Sequence, residues 1–387
     1  MLSFCHRAFL HNTSVTGEKN VSLAQFSKAV IYVFYLKLVC IYFNCTGQSV
    51  NFYDGLNPLM KKNLLENSTE RLINLRLHLI LDFSSYIVKK TELFWNTSYT
   101  SNTRKRLIIH YNRILLFKKI ISFIFSYGNR FSFQIHVGST ASNYIRSEFC
   151  KFGTNNNVKV IGYEHGGERF LFKDNWFWYA ELKDKSEYHV LHPLTKKFLA
   201  KNFGYNRGRY LSSSGDQKRF NLHKKYQQPV NFENVKNIVY IARSKAGKFR
   251  NFYAKKPSDC HYYKLALRNI SLFDQSHFRV FVKQHPKQSS QFDFPYSNIE
   301  WPDVEALSTK DTVILFDYLG SGALKALCMG FPYLYLESEE RTLSDFGVQN
   351  IVKHQYHDVR TQLNDGLLKA PYLDSCTLVT IREGIFL

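Results

Sequence analysis

A Gly-Ser-Gly turn is the segment of this sequence whose residue types best suit chemistry. Gly320, Ser321 and Gly322 follow the apolar run TVILF and precede ALKALCMG, which is typical of a helix. The unpaired N–H groups and the dipole of a helix N-terminus favour an anion, and glycines let a phosphate approach the backbone closely. The spacing indicates a phosphate-binding corner, with an ordinary loop in which Ser321 caps the helix as an equal alternative.

A histidine between two lysines is the second candidate. The segment Lys283-Gln284-His285-Pro286-Lys287 follows FRVFVK, a pattern typical of a strand. Ligands of open α/β sheets gather at the C-terminal ends of strands. Imidazole can donate to a phosphoryl oxygen or transfer a proton as a leaving group departs. We therefore expect Lys283 and His285 to face a polyanion, and the alternative is a structural histidine in a loop.

A carboxylate beside an imidazole is the third candidate. Glu164 and His165, followed by Gly166 and Gly167, end the apolar run VKVIGY. Such a pair could hold an acceptor hydroxyl and remove its proton. The alternative is a glycine turn whose Glu164 and His165 side chains point to water.

Short apolar runs bounded by turn residues surround these three segments, and they predict alternating strands and helices. The strands expected in this way are 132–137, 158–163, 237–242, 278–283, 312–316 and 332–336. Helices are expected from Gly138 to about Phe152, over 192–204, over 262–273, over 303–308 and after Gly322. The predicted organisation is a helical and irregular region at 1–103, an α/β domain at 104–211, a polar linker at 212–233 and a second α/β domain at 234–387.

Composition narrows the function classes without choosing one. The chain has 387 residues, a formal net charge of +21 and 16% aromatic residues. It can bury substantial cores, which excludes wholesale disorder, and ordinary Gly and Pro contents exclude a collagen-like protein. A basic, aromatic-rich chain suits nucleic acid, an anionic membrane or phosphorylated substrates. The seven cysteines are scattered without a CxxC pair, which favours reduced thiols over a zinc or disulfide framework.

Two apolar segments are long enough to be considered for contact with a membrane. Ala29 to Cys45 is apolar, but it is shorter than the roughly 20 residues of a membrane span and contains Lys37. A buried strand or core helix is the favoured interpretation, with membrane contact as the alternative. Arg104 to Phe125 mixes cations with bulky apolar residues and suits either a bilayer interface or, as favoured here, an internal helix whose cations face solvent.

The second and third segments, together with the glycine corner, carry a resemblance to a known group of enzymes. The chain resembles the GT-B glycosyltransferases and their relatives from bacterial surface-polysaccharide loci, including capsule-type transferases and CDP-glycerol glycerophosphotransferases. Those proteins carry a His-Gly or Gln-His-Gly-Gly turn, matched by Glu164 to Gly167. They also carry a strand ending in His-Pro, matched by VFVKQHPK, and a Ser-containing turn with a helix and Gly-x-Pro, matched by GSGALKALCMGFP.

The resemblance covers about 131–336 and implies a fold of two Rossmann-like α/β domains facing a central cleft, with a largely helical N-terminal region. It implies that a nucleotide-activated sugar or polyol phosphate binds with its phosphates near Gly320, Ser321, Gly322 and His285. The acceptor, a lipid-linked or polysaccharide molecule, would approach His165 and Glu164. Transfer would need neither a metal nor a cofactor, and Arg243, Lys245 and Lys248 would add charge around the phosphates.

One departure concerns the helix of the glycine corner. Relatives often carry Glu in an ALEAL segment where this chain has Lys325, in ALKAL. A carboxylate there could bind ribose or sugar hydroxyls, whereas Lys325 could pair with phosphate or mark an altered site.

The resemblance and the positive charge together suggest a cytoplasmic protein on the inner face of the plasma membrane. The alternatives are an inactive scaffold and a nucleic-acid-binding module. For the latter, the aromatic segment NWFWYAELK at Asn175 to Lys183 could stack on bases, although no nucleic-acid-binding motif appears.

Overall fold

The structure is a computed structural model of the chain. It describes residues 22–56, 61, 64–65, 68–92, 102–126, 133–141, 143–164, 169–173, 175–191, 193–210, 230–242, 259–273, 275–285, 294–336 and 343–370.

Most of the strands belong to two parallel sheets, and all of them are numbered here in chain order. They are β1 Val50–Asp54, β2 Arg71–Asn74, β3 Phe133–Val137, β4 Lys159–Tyr163, β5 Glu187–Val190, β6 Gly208–Tyr210, β7 Val230–Asn231, β8 Asn237–Ile241, β9 Arg279–Lys283, β10 Ser297–Asn298, β11 Thr312–Phe316, β12 Tyr333–Leu336, β13 Lys353–His354 and β14 Lys369–Ala370. The first sheet has the order β2-β1-β3-β4-β5-β6 and the second β10-β9-β8-β11-β12-β13, while β14 and β7 form a small antiparallel pair.

Helices follow or precede these strands in the alternation expected of parallel sheets. They are α1 Leu23–Thr46, α2 Leu77–Glu92, α3 Asn102–Ile124, α4 Tyr144–Asn155, α5 Asn175–Leu182, α6 Pro193–Phe203, α7 Asp259–Ile270, α8 Trp301–Ala306, α9 Ser321–Cys328, α10 Asp345–Asn350 and α11 Tyr356–Asn364. Short 3-10 turns lie at Arg169–Leu171 and Phe232–Asn234.

The chain divides into two compact units. The first consists of residues 1–165 and 175–189, and the second of residues 166–174 and 190–387. In the second unit, the segment around the first 3-10 turn is part of the core: Phe170 and Leu171 are buried, and the hydroxyl of Ser344 donates to the carbonyl of Phe170. The predicted linker at 212–233 lies mostly outside the described residues.

The second sheet is built around strands that are buried on both faces. All five residues of β8 and of β11 are buried, as are the four of β12. Such continuous apolar runs are what a parallel sheet covered by helices requires. The core of the first unit packs the aromatic side chains of Phe52, Phe117 and Phe149 between β1, α3 and α4.

The predicted α/β class with two Rossmann-like sheets is confirmed by these topologies. The six expected strands are present within one residue of their predicted bounds. Helices are present at the five expected places, but α4 begins at Tyr144 rather than at Gly138, and α7 begins and ends three residues before the predicted 262–273. Helices also dominate the described N-terminal region, where α1 occupies the apolar segment that contains Lys37.

The prediction of only helical and irregular structure before residue 103 was wrong in one respect. β1 and β2 lie in this region and complete the first sheet beside β3. Their sequences, VNFYD and RLIN, are short and show little alternation. They become strands because β3 offers unpaired backbone groups along its edge, and sequence periodicity does not report that interaction.

Candidate functional site

The strand order of the second sheet places a crevice between β8 and β11. The chain runs from β8 outward through β9 to β10, then returns to the other side of β8 as β11. Loops after the two central strands therefore diverge at their C-terminal ends, and ligands of doubly wound sheets bind at this switch point. The loop after β11 is the predicted glycine corner, so topology places it at this crevice.

The N-terminus of α9 follows the loop at this crevice, and its N-cap residue has no side chain. Gly320 is the N-cap residue in an extended conformation, so the cap position itself offers no side-chain acceptor to the first turn. The first intrahelical bond runs from the N–H of Leu324 to the carbonyl of Gly320, so the N–H groups of residues 321–323 precede it. By contrast, Ser344 caps α10 through its hydroxyl. The side chain of Ser321 lies outside the described atoms.

Gly322 sits where a larger residue would be crowded. A Cβ atom at this position would lie 3.2 Å from Cγ2 of Ile241 and 3.6 Å from Cζ2 of Trp301. Ile241 ends β8 and Trp301 begins α8. The start of α9 therefore packs closely against both neighbours, and the absence of a side chain at Gly322 allows this close approach.

Trp301 connects the glycine corner to the end of β9. The ammonium nitrogen of Lys325 lies 4.6 Å from the centre of the indole ring, and that of Lys283 lies 6.0 Å from it. Cations near an aromatic ring at such distances are attracted by its electron density. The predicted residues Lys283 and Lys325 are thus brought together around Trp301, a residue that the sequence had not singled out.

Both lysines already have carboxylate partners. Nζ of Lys283 lies 3.0 Å from Oε2 of Glu300, and it donates to the carbonyl of Gln284. Nζ of Lys325 lies 3.1 Å from Oε1 of Glu305. The ammonium of Lys283 lowers the pKa of the Glu300 carboxyl. Because the Glu300 side chain is 61% exposed, water keeps that pair weak.

Asp317 is a second residue that sequence reasoning passed over. It follows β11 directly, is buried, and accepts hydrogen bonds at Oδ2 from the hydroxyl of Tyr240 at 2.9 Å and from the amide of Asn269 at 3.4 Å. A buried carboxylate at the carboxyl end of a central strand was detectable from its position after TVILF. Its partners were not, since Tyr240 and Asn269 are distant in sequence.

Of the other predicted site residues of the second unit, the structure describes only His285 among those with an expected charge or proton-transfer role. His285 lies two residues beyond the end of β9, the strand next to β8, and is half-buried. Arg243, with Lys245 and Lys248, falls outside the described residues. Their roles stay predictions.

In the first unit, Glu164 directly follows β4 and is buried, with its N–H bonded to the carbonyl of His189 at 2.9 Å. His165 lies outside the described residues, as do Gly166 and Gly167. The pairing of Glu164 with His165 at an acceptor therefore stays a prediction.

A histidine and tyrosine network crosses the first sheet near the end of β4. Nδ1 of His136 lies 2.8 Å from the hydroxyl of Tyr163, and the Tyr163 and His189 rings meet edge to face. Nε2 of His189 lies 2.6 Å from a carboxylate oxygen of Glu187. Burial lowers the pKa of His136 to about 4, and the nearby His189 and Lys159 act in the same direction.

We expect His136 to make folding stability depend on pH. Its folded pKa lies below the ordinary value of 6.5, so its contribution is present above pH 6.5 and is lost as pH falls towards 4. At pH 5 the loss is about 2 kcal/mol. Urea unfolding at pH 7 and pH 5 measures it: the decrease should be smaller in His136→Gln and unchanged in His277→Gln, whose histidine is exposed. Equal decreases in all three proteins would contradict this assignment.

The switch point of the first sheet, between β1 and β3, is filled by the protein itself. Nε of Arg146 lies 2.6 Å from Oδ2 of Asp54, the last residue of β1. In the turn after β3, the N–H groups of Thr140 and Ala141 donate to the carboxylate of Glu181 at 3.2 and 3.0 Å. An internal carboxylate thus occupies the position that an anionic ligand would take, which leaves the second sheet as the donor-site candidate.

The aromatic segment at 175–183 forms α5, where Phe177 and Trp178 are buried and Tyr179 is exposed. Buried rings cannot stack on bases, so these two residues do not support the nucleic-acid alternative.

Comparison with known proteins finds similar folds among solved structures but no similar sequence. No protein-family model matches the sequence, and no curated protein matches it. A glycotransferase of kitacinnamycin superposes with a TM-score of 0.44 at 8% identity, covering 86% of this chain and 93% of its own. The calicheamicin glycosyltransferase gives 0.41 at 9% identity, covering 87% and 92%. UGT89C1 of Arabidopsis thaliana, complexed with UDP, gives 0.40 at 11% identity, covering 91% of each chain. These structural neighbours are glycosyltransferases, and at such values the similarity says nothing about residue roles or substrates.

Proposed function

We propose that this chain is a glycosyltransferase-like enzyme that transfers a sugar or polyol phosphate from a nucleotide-activated donor to a lipid-linked or polysaccharide acceptor. The observation that carries the proposal is the N-terminus of α9, whose N-cap residue is Gly320 and which lies at the switch point of a doubly wound sheet. Free N–H groups at such a point are an anion site that needs no metal. The donor phosphates are therefore assigned to residues 320–322.

The lysines around Trp301 supply the second part of the donor site. An incoming phosphate can displace the exposed carboxylate of Glu300 from Lys283, because that carboxylate regains water when it leaves. Lys325 keeps its position over Trp301 through Glu305. In this proposal Lys325 supplies positive charge where relatives with Glu would bind hydroxyl groups.

The chemical step requires charge stabilisation at the leaving phosphate and removal of a proton from the acceptor. The N–H groups of α9 and the nearby ammonium groups stabilise the charge that builds up on the phosphate. His285 donates a proton or a hydrogen bond to the same oxygen atoms. His165, with Glu164 beside it in sequence, is the proposed base for the acceptor hydroxyl.

Nucleotide binding is the direct test of the donor site. Thermal unfolding is recorded with CDP, CMP, UDP, GDP and dTDP, and with single-stranded DNA as the comparison. A rise of the melting temperature with one nucleoside diphosphate supports the proposal, since only a ligand of the folded state stabilises it. A rise with DNA alone would replace it by a nucleic-acid-binding function, and nucleotide binding without turnover of any donor would favour an inactive scaffold.

We expect His285→Ala to reduce donor turnover by about 100-fold or more, in the range of a lost general acid. Folding should be retained, because His285 lies beyond the end of β9 and is only half-buried. The control is His277→Ala, which removes an exposed histidine just before the same strand. Steady-state rates with the donor found above measure both variants, and equal rates would remove His285 from the mechanism.

The proposed location, at the cytoplasmic face of a membrane, follows from the lipid-linked acceptor and the formal charge of +21. An anionic leaflet attracts a basic protein over about a Debye length.

A further inference from the structure

Helix α1 has an apolar face that is exposed among the residues that the structure describes. The side chains of Ile31, Phe34, Tyr35, Leu38 and Tyr42 are between 47% and 69% exposed, and their spacing of three, four and seven residues places them on one side of the helix. We call these five residues the α1 stripe. Single exposed apolar residues are ordinary, but a contiguous row of large ones indicates an interaction surface.

The opposite side of α1 is fixed in the core. Ala29, Val33, Leu36, Cys40 and Phe43 are buried. The helix is stabilised at both ends, by a capping box between Ser22 and Gln25 and by Gly47 in the left-handed conformation. By length and composition α1 could cross a membrane. Because one side packs against α2 and α3, the geometry suits a helix that lies along a surface instead.

Lys37 explains why the stripe is uninterrupted. This lysine, at the middle of the apolar segment, is buried, and its ammonium donates to the carbonyl of Phe123 and to the hydroxyl of Ser126, both at 2.6 Å. It also lies 4.6 Å from the centre of the Phe123 ring. The positive charge of Lys37 thus lies at the carboxyl end of α3, where carbonyl groups favour a cation.

The charges next to the stripe are positive. Neither α1 nor α3 contains an acidic residue. Lys28 is exposed one turn before Ile31, and Lys119 is exposed one turn before Phe123, which is itself 48% exposed. A surface of bulky apolar residues and tyrosines, bordered by lysines, suits the boundary between lipid headgroups and acyl chains.

We propose that the α1 stripe inserts into the interface of an anionic phospholipid bilayer, with α1 parallel to the membrane plane. A second copy of this chain is a poorer occupant, because it would bring the basic helix α3 against its own like charge. The proposal concerns a surface of the first unit and stands independently of the donor site. It assigns insertion to α1, for which the sequence analysis favoured a buried element and kept membrane contact as the alternative.

Vesicle binding tests the proposal with the full-length protein. The probes are vesicles of phosphatidylcholine alone and of equal parts phosphatidylcholine and phosphatidylglycerol, separated by flotation. We expect the protein to float with the mixed vesicles, and the triple variant Ile31→Gln, Phe34→Gln and Leu38→Gln to bind at least about tenfold more weakly. Glutamine is a good helix former, so the unfolding midpoint should change little. The single variant Phe34→Glu tests the same face if the triple variant does not fold.

A matched control separates the stripe from apolar exposure in general. Val348, Val352 and Leu367 are also large and exposed, and they lie in the second unit. Their replacement by glutamine should leave vesicle binding unchanged. The proposal fails if the native protein does not bind the mixed vesicles, or if the stripe variant binds them as well as the control does. It also fails if the native protein is a dimer and the only effect of the stripe variant is to make it a monomer, because the stripe would then bind a second copy of the chain. None of these results depends on nucleotide, so they are distinct from a failure of the donor site.

Discussion

Gly320→Asp is expected to weaken nucleotide binding strongly while leaving the protein folded. An aspartate at the N-cap of α9 would accept hydrogen bonds from the N–H groups of the first turn, the same groups that we assign to the donor phosphates. Its negative charge would also repel the phosphate at short range. We expect the dissociation constant for the bound nucleoside diphosphate to rise by about 100-fold or more, as measured by isothermal calorimetry.

The backbone at residue 320 accepts this change. The N-cap conformation of Gly320, with φ −112° and ψ 178°, is one that any residue adopts. A Cβ there would lie 3.2 Å from Cε1 of Tyr318, so the Tyr318 ring must shift by a few tenths of an ångström. Exchanging Gly for Asp at an N-cap changes stability by only a few tenths of a kcal/mol.

The matched control is Gln355→Asp. Gln355 is the N-cap of α11, also in an extended conformation and also without a side-chain cap bond. The Gln355→Asp substitution adds the same charge as Gly320→Asp at an equivalent helix position of the same unit, so nucleotide binding should be unchanged. Equal affinities in both variants would show that the phosphates do not bind at α9.

Glu181→Gln is expected to destabilise the first unit by about 3–5 kcal/mol. Glu181 and Lys185 are both fully buried. The Glu181 carboxylate accepts from the backbone of Thr140 and Ala141 and from the hydroxyl of Ser139, while the Lys185 ammonium donates to Thr140 at 2.7 Å. Neutralising Glu181 leaves the Lys185 charge uncompensated in a fully buried site, and it turns an amide group towards N–H donors. Urea unfolding followed by circular dichroism gives the change in free energy of unfolding.

A partly exposed ion pair of the same unit provides the comparison. Lys118, whose side chain is 44% exposed, lies 2.6 Å from Glu148. Its ammonium can be rehydrated, so Glu148→Gln should cost no more than about 1 kcal/mol. Adding Lys185→Met to Glu181→Gln should recover part of the loss, because it removes the uncompensated charge. A loss in Glu181→Gln no larger than in Glu148→Gln would mean that Glu181 does not fill the turn as an anion.

These two substitutions probe two switch points that differ in what occupies them. In the first sheet, the turn after β3 is closed by Glu181, and Arg146 binds Asp54 beside it. In the second sheet, the N-cap of α9 is Gly320, which has no side chain to place on the first turn. Parallel sheets with helices at their carboxyl ends create anion sites repeatedly, and the side chains that happen to fill such a site determine whether a ligand can use it.

The sequence by itself determined the α/β class, the strands that flank the three candidate segments, and the glycine corner at 320–322. These features are local, since continuous apolar runs and helix-start glycines report their own structure through burial and backbone freedom. The sequence also located Lys283 and Lys325 as cations near the corner.

Only the tertiary structure decided what these residues contact. It brought Trp301 between Lys283 and Lys325, buried Asp317 against Tyr240, and recruited β1 and β2 to the first sheet. It also turned Lys37 inward and left the opposite face of α1 apolar. Each of these outcomes joins residues that are far apart in the chain, and pairing between distant segments depends on packing and strand order, which local composition does not encode.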